Sequence, residues 1–516
     1  MSRPTADASE GRPQDWEAPG AALVRTAATD EIPPLAELGR VHIMGIAGSG
    51  MSALARILLD RGLSVSGCEA RDSLTVAGLR AVGADVHIGH STEHVDACDT
   101  FVYTTAINPK HEEFAYARGS GKRVLRRAAA LATALEDRRT VAISGTHGKT
   151  STTSLLTVAA QACGVDPSFA IGGNLYESGQ NAHLGTGELA IVEADESDGS
   201  FLLTRPAAAI VTNVEADHLE NHGDLEGIHR AFEQFVDRIA PEGLLLTCAD
   251  DPGARRVADY ARAHGHRVRT YGQATDADVV VSDIKAEPDV GVPPPPGAQR
   301  AAEGGVSFTV TSAELGTRAV AVGSLIGRHM ALNAAAALTM AVELGLPADR
   351  VVGAWANFGG VHRRFEFHGE GGGVRVFDDY AHHPTEVAAQ LSAARALVQE
   401  GSRLIAVFQP GTYSRTQTFA HEFAQAMAIA HIAVVMDIFP AREEPIPGIT
   451  GATISDLIDL PPEQVIYEPR YEQVPARIAA VARPGDLVLT MGIGNVYMLC
   501  KPIVEACAQA ASESGA

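Results

Sequence analysis

The segment SGTHGKTSTT, Ser144–Thr153, follows the apolar run TVAI and precedes the apolar run SLLTVAAQA. A glycine-rich turn between a strand and a helix aims several backbone N–H groups at one point, at the positive end of the helix. Such a turn cradles phosphate oxygens. Gly145, Thr146, His147, Gly148 and Ser151 would form the cradle, and Lys149 would meet the terminal phosphates as a point charge. The Thr150 hydroxyl is placed to ligate Mg2+. The loop is shorter than the usual phosphate loop of Gly, four residues, then Gly-Lys-Ser/Thr, because Ile143 stands where the first glycine would be. A bare glycine turn with an exposed lysine would read the same way in isolation. The flanking strand and helix favour the phosphate site.

Acidic residues gather nearby in sequence. VEADESDGS puts Glu193, Asp195, Glu196 and Asp198 at the end of one strand-like run, and TNVEADHLENH puts Glu215, Asp217 and His218 at the end of the next. Carboxylates beside a triphosphate are natural Mg2+ ligands. The expectation is that the two strands are adjacent and that Glu193 and His218 reach one metal. For any single one of these residues a solvated strand end is the competing account.

A second glycine turn, MGIAGSGMSA, carries Gly48-x-Gly50-x-x-Ala53 after a strand, with Glu69 about 20 residues on, at the end of the following strand. That fits a dinucleotide fingerprint. It fits any other pyrophosphate equally, including that of a UDP-sugar. An NAD-dependent oxidoreductase would use this turn and leave Lys149, Glu193 and His218 without a task. FDDYAHHPTE contributes Asp378, Asp379, Tyr380, His382 and His383. Neighbouring histidines point apart, so a polar turn facing a substrate or nucleotide is favoured over a metal dyad. Arg363, Arg364 and Arg415 are suited to bidentate binding of carboxylate or phosphate, with surface ion pairing as the alternative.

These residues need elements to hold them. Apolar strand-like runs alternate with helical patterns in three successive blocks, which predicts α/β domains with parallel sheets and a ligand site where the domains meet. The expected division is a disordered tail at 1–36, a Rossmann-like domain at 37–127, a central P-loop-type domain at 128–358 and a second Rossmann-like domain at 359–510. Hinges are expected near 127 and 358, and the Pro/Gly-rich stretch 288–305 reads as a surface excursion. The chain has 516 residues, 46% hydrophobic and 20% charged, with a formal net charge of −22. An acidic surface argues against a nucleic-acid partner or an anionic membrane. No apolar run approaches the ~18 residues of a membrane span. The six cysteines have no C-x-x-C spacing and read as buried thiols of a cytoplasmic protein, with no pair suggesting zinc.

Taken together, GIAGSGMS, GTHGKTSTT, EADESD, TNVEADHL, RRFE and DDYAHHPTE, in that order, resemble the Mur ligase family over nearly everything after residue 38. The shortened loop GTHGKT resembles the family's own phosphate loop, and EADESD with DDYAHHPTE resembles its alanine-adding branch. The resemblance implies a three-domain ligase that joins L-alanine to the lactoyl carboxylate of UDP-N-acetylmuramate through an acyl phosphate, using ATP and Mg2+. It implies a monomer or weak homodimer with no stable membrane insertion. It places the UDP-sugar on Gly48, Gly50, Met51, Ser52 and Glu69. Lys149 and Thr150 would hold the ATP phosphates, and Thr150, Glu193 and His218 the metal. Asn333, Arg364 and Asp379 would contact the nucleotide, and Tyr380, His382 and Arg415 would place L-alanine. Lys149, Glu193, His218, Arg364 and His382 are the implied catalytic set. Where other members carry a carbamylated lysine, Glu233 stands as a candidate fixed carboxylate. Met330, Gly411-Thr412 and Glu69 depart from the family pattern. They leave open a relative of different amino-acid or peptide specificity, or a nucleotide-binding homologue without activity.

Overall fold

A computed structural model describes residues 30–105, 107–108, 110–176, 178–287, 304–356, 358–440 and 443–514. Residues 1–29 of the expected tail and 288–303 of the Pro/Gly-rich stretch lie outside the described residues. The last part of the expected tail is not loose. Asp30 pairs with the buried Arg126 at 2.7 Å, and the Thr133 hydroxyl donates to the Pro33 carbonyl at 2.9 Å. Ile32 and Leu35 pack on the core, and this apolar anchoring orders a segment that sequence assigned to disorder.

Three sheets follow one another along the chain. The first comprises β1 (Val41–Met44), β2 (Val65–Glu69), β3 (Asp85–Ile88), β4 (Thr100–Tyr103) and β5 (Arg123–Arg126), all parallel in the order β3-β2-β1-β4-β5. The strand order reverses between β1 and β4, and in such sheets ligands sit beyond the strand ends at that reversal. The glycine turn after β1 occupies this place and opens the helix Ser49–Asp60.

The central sheet has ten strands. They are β6 (Arg139–Ser144), β7 (Ser168–Ala170), β8 (Ala182–His183), β9 (Leu189–Glu193), β10 (Ala208–Val211), β11 (Leu244–Cys248), β12 (Arg267–Gly272), β13 (Val279–Glu287), β14 (Gly305–Ser312) and β15 (Gly316–Gly323). Their order is β15-β14-β13-β12-β11-β10-β6-β9-β7-β8. The parallel middle was expected. The antiparallel meander β13-β14-β15 was not, because the chain between β13 and β14 reads as Pro/Gly-rich linker rather than hairpin. β9 and β10 are not adjacent: β6 lies between them and pairs with both. Glu193 and the 213–218 loop therefore flank the phosphate-loop strand, one on each side.

The third sheet holds β16 (Glu366–Gly371), β17 (Val374–Asp379), β18 (Leu404–Phe408), β19 (Ile432–Met436), β20 (Val465–Glu468) and β21 (Leu487–Met491), in the order β16-β17-β21-β18-β19-β20. Only β16 runs antiparallel. One apolar core runs continuously through the first two sheets, while the third sheet has its own core on each face. Mechanically the first two sheets are fused and the third is separate.

Candidate active site at the junction of three domains

The phosphate loop leaves β6 through Gly145 (φ 130°) and enters the helix Lys149–Ala162 through Gly148 (φ 83°). Both values lie where L side chains are strained, and both positions are crowded. A Cβ on Gly145 would meet Thr212 Oγ1 at 2.1 Å, and one on Gly148 would meet Asn333 Oδ1 at 2.7 Å. The loop is pinned from β10. Asn213 Oδ1 accepts from the His147 N–H, and the Thr212 hydroxyl donates to the His147 carbonyl at 2.6 Å. Lys149 Nζ donates to the Gly145 and Thr146 carbonyls and to Glu196, 2.7–3.1 Å away. Burial opposes its charge, but Glu196, Asp195 and Glu193 outweigh burial and hold the ammonium above its ordinary range. Glu196 is pushed up to about 7, by burial first and by Asp195, against the pull of Lys149.

Two cavities meet at this loop. A cleft of ≈ 720 Å³ draws on all three domains: Ser49, Ser52 and Arg56 from the first, Lys149, Thr150, Glu193, Asp195 and His218 from the second, and Arg364, Tyr380, His382 and Ile493 from the third. A second cavity of ≈ 250 Å³ lies between the central and third domains and is lined by Ser151, Asp250, Tyr271, Met330, Asn333 and Asp379, among others. His147, Gly148, Arg364 and Glu386 line both. A nucleoside held in the smaller cavity would thus send its phosphates past Gly148 and Lys149 into the larger one. Within that cleft Thr150, Glu193 and Asp195 offer hard oxygen donors and His218 an imidazole, a set that suits Mg2+ with waters retained. Glu193 also accepts from the Gly172 N–H at 2.8 Å, which orients its carboxylate.

The third domain closes the site through charged contacts. Arg415 donates to Asp217 at 2.7 Å, the Thr385 hydroxyl to Glu215 at 2.8 Å, and His147 lies 3.2 Å from Glu386. Burial lowers the His147 pKa, but Glu386 and Glu215 more than reverse this and raise it to about 10, so the ring is cationic at neutral pH. His382 goes the other way. Burial brings it down to about 4, and its Nδ1–H donates to the Tyr380 carbonyl at 3.0 Å. Asp379 accepts from the Phe365 and Ala381 N–H groups, both at 2.8 Å, and burial raises it to about 6 with Arg364 opposing.

Several expected site residues sit differently. Glu233 pairs with Arg256 at 3.4 Å on the outer helices and does not line the cleft, so it is not placed to replace a metal-site carboxylate. Glu69 places its two oxygens on the Ala47 and Ala70 N–H groups, at 3.1 and 3.0 Å, and so shapes the glycine turn. The Met51 side chain is buried in the core, leaving only its backbone at the turn. Arg415 meets Asp217 across the domain junction rather than opening onto the cleft. Gly411-Thr412 also stands off the cleft. A Cβ at Gly411 would strike Ile493 at 2.2 Å, so this glycine lets Ile493 reach the cleft wall. Met330 does line the nucleotide-side cavity, where Asn333 Nδ2 donates to its sulfur at 3.7 Å.

Other residues escaped the sequence reading. Arg127 lies across Gly50, whose Cβ would come within 3.0 Å of Arg127 Cδ, and so sets a guanidinium against the first turn of the helix Ser49–Asp60. The basic run GKRVLRR was the signal. Asn181 ties the first domain to the second through the Ser49 carbonyl at 2.7 Å, and Glu386 faces His147 and His382. Arg363, which the sequence did offer for ligand binding, lines the cleft beside Arg364 but is committed to protein partners. It donates to Asp378 and to the Gly492 carbonyl.

The three domains and the two cavities around one phosphate loop define a multidomain nucleotide-binding α/β scaffold. Residues 40–139 match the Mur ligase family, catalytic domain; 143–341 the Mur ligase middle domain; and 363–494 the Mur ligase, glutamate ligase domain. The chain belongs to the Mur ligase family. It is 50% identical over 483 residues to the UDP-N-acetylmuramate–L-alanine ligase of Saccharopolyspora erythraea, covering 93% of this chain and 95% of that protein. It is 48% identical over 471 residues to the protein of the same name from Acidothermus cellulolyticus, covering 91% and 95%. In fold it is similar to the UDP-N-acetylmuramate–alanine ligase of Thermotoga maritima, with a TM-score of 0.73 at 24% identity over 92% of this chain and all of that one. A murein peptide ligase of Psychrobacter arcticus follows at TM-score 0.65 and 23% identity, covering 91% and 99%.

Proposed function

We propose that this protein is an ATP-dependent ligase that joins L-alanine to the lactoyl carboxylate of UDP-N-acetylmuramate through an acyl phosphate. The observation that carries the reading is the position of the phosphate loop at the waist between a nucleotide-sized cavity and a cleft reached by all three domains. Curated relatives at about half identity over nearly the whole chain carry that activity in their names.

The sugar nucleotide lies on the first domain, its pyrophosphate over the helix beginning at Ser49 and beside Arg127. ATP lies against Tyr271, Asn333 and Asp379, with its phosphates over Gly148. The lactoyl carboxylate attacks the γ-phosphorus, and the bond to ADP breaks. Both partners are anions, so Lys149 and Arg364 must neutralise the meeting point. Thr150, Glu193 and His218 would hold Mg2+, whose charge offsets that of the transferring phosphoryl group. The amine of L-alanine then attacks the acyl carbon and expels phosphate. His382 and Tyr380 line the wall where the amino acid enters. With its pKa near 4, His382 is neutral and orients rather than serving as a strong base. Acyl phosphates hydrolyse, so the Arg415–Asp217 and His147–Glu386 contacts keep water out by holding the third domain shut. Every substrate is water-soluble, in keeping with a cytoplasmic site of action.

The test is ADP release by purified protein with ATP and Mg2+, omitting the sugar nucleotide or L-alanine in turn, and replacing L-alanine by glycine, L-serine or a tripeptide. Release that needs both UDP-N-acetylmuramate and L-alanine is the expected result. Release with a different amine only would move the specificity. No release at all, with ATP still bound, would overturn the reading.

A further inference from the structure

Behind the sugar-nucleotide turn, on the opposite face of the first sheet, four side chains from four elements converge. His42 comes from β1, Cys68 from β2, His94 from the short helix Thr92–Asp96 and Glu113 from the helix Glu112–Gly119. One donor atom of each lies within 4.8 Å of all the others. Glu113 is the hub. Its Oε1 lies 3.3 Å from His42 Nε2 and 3.2 Å from His94 Nδ1, and its Oε2 lies 3.2 Å from Cys68 Sγ. His42, Cys68 and Glu113 are at most 1% exposed.

We propose that His42, Cys68, His94 and Glu113 form a structural site for a tetrahedral divalent transition metal, Zn2+ by preference. Zinc bonds of about 2.0–2.3 Å to nitrogen, oxygen and sulfur put neighbouring ligand atoms roughly 3.3–3.6 Å apart in a tetrahedron. The Glu113 separations of 3.2–3.3 Å lie at or just below that range, and the remaining donor atoms lie within 4.8 Å of one another, so the cluster needs only a small adjustment to close on an ion. A donor set with one thiolate, two imidazoles and one carboxylate rejects Mg2+ and Ca2+, which take oxygen, and selects zinc-like ions. The charges close: the metal's two positive charges meet one thiolate and one carboxylate, the imidazoles stay neutral, and the thiol proton leaves to solvent on binding.

Two independent observations aim the site at a ligand. First, His42 Nε2 is fully buried and makes no hydrogen bond, and it lies 3.3 Å from Glu113 Oε1, so it is directed into the cluster. Its other nitrogen lies 2.9 Å from Ser66 Oγ, and Ser66 reaches on to the Val41 carbonyl. That chain puts the proton on Nδ1 and leaves Nε2 as the donor, the outer-shell arrangement that orients metal-bound histidines. Second, among the described residues the buried apolar cluster on this face is small, Met44, Cys68, Val95, Cys98, Phe101, Phe114 and Ala117, with Tyr103, Ile107 and Val124 packed against it. So small a core gains from a metal staple joining two short helices to the sheet. His90, partly exposed and 2.8 Å from Glu113 Oε2, marks the way in. No spacing in the sequence announces the site, because each ligand comes from a different element.

The full chain would be stripped with chelator, loaded with Zn2+ or Co2+, desalted and assayed for bound metal. About one zinc per chain is expected, and Co2+ should give the intense visible bands of tetrahedral coordination with a thiolate charge-transfer band in the near ultraviolet. Cys68→Ser should abolish that band and His94→Gln should remove stoichiometric zinc, whereas Cys98→Ser, in the same small core, should leave both intact. Ser66→Ala should weaken zinc affinity about 10- to 100-fold without altering the first ligands. Circular dichroism identifies any variant that fails to fold. If Cys68→Ser does not fold, the wild-type cobalt spectrum and Ser66→Ala decide. Wild-type protein that binds no zinc, or shows no thiolate band, overturns the proposal. So does a Cys68→Ser protein that binds metal like the wild type.

Discussion

His42, Cys68, His94 and Glu113 gather inside one domain, whereas His147, Glu215, His383 and Glu386 gather across two. Both groups pair imidazoles with carboxylates, and in each a subset has donor atoms within 4.8 Å of one another. Their surroundings separate them. The first is enclosed between a sheet and two helices of the same sheet domain, and its members stay together whatever the other domains do. The second has His147 and Glu215 on the central domain and His383 and Glu386 on the third, so it exists only while those domains touch. The same chemistry serves architecture in one place and closure in the other, and what decides is whether the chain can move between the partners.

The comparison can be broken most strongly at the cross-domain contacts. Asp217→Ala removes the carboxylate that Arg415 meets at 2.7 Å, at a position where both are about nine-tenths shielded, a loss of up to roughly 3–5 kcal/mol. Small-angle scattering should show the third domain swinging away, and ADP release should fall steeply, while the melting of the fused first and second domains stays put. Glu113→Gln is the mirror experiment. It removes the carboxylate charge that His90, His94 and Cys68 share, should cost about 1–3 kcal/mol of stability in a denaturant melt, and should leave kcat nearly unchanged. Equal effects of both variants on turnover would erase the distinction.

Titration sharpens the contrast. His147, facing Glu215, Glu386 and His383, has its pKa raised to about 10. A raised histidine pKa contributes docking stability that is complete below the ordinary value near 6.5 and is lost as pH rises through about 10. Closure monitored by scattering should therefore weaken between about pH 7 and 10, and His147→Gln should flatten that dependence. The smallest effect is expected from Thr385→Val, which deletes one exposed hydroxyl donor to Glu215. It should cost about 1 kcal/mol, read as a modest rise in the KM for ATP.

The phosphate loop was legible because its geometry is local. Glycines, Lys149 and the flanking strand and helix follow one another without interruption between Arg139 and Ala162, and backbone rules connect them directly. The three α/β blocks were legible for the same reason, from alternating apolar runs. What sequence could not supply is the pairing of distant segments. β6 intervenes between β9 and β10, a matter of strand order that no local pattern encodes. Arg415 and Glu69 have the right types for ligand contacts, yet Arg415 meets a protein carboxylate and Glu69 meets backbone N–H groups. Glu233 lay at the right count from His218, but the pitch of its helix turns it toward Arg256. Whether the remaining site residues act as proposed rests on their shared cleft, which exists only in three dimensions.

The Lys149–Glu196 contact means that the loop's charge is already balanced before any nucleotide arrives. Phosphate binding is then a displacement, in which an incoming oxygen must dislodge a carboxylate, and the gain is the difference between two ion pairs rather than the whole of one. The log of ATP affinity should fall less steeply with the log of salt concentration than for a loop whose lysine stands alone. Once released, the Glu196 carboxylate would no longer have Lys149 to hold its pKa down, so nucleotide loading would draw a proton from the medium, and a weakly buffered solution would record it.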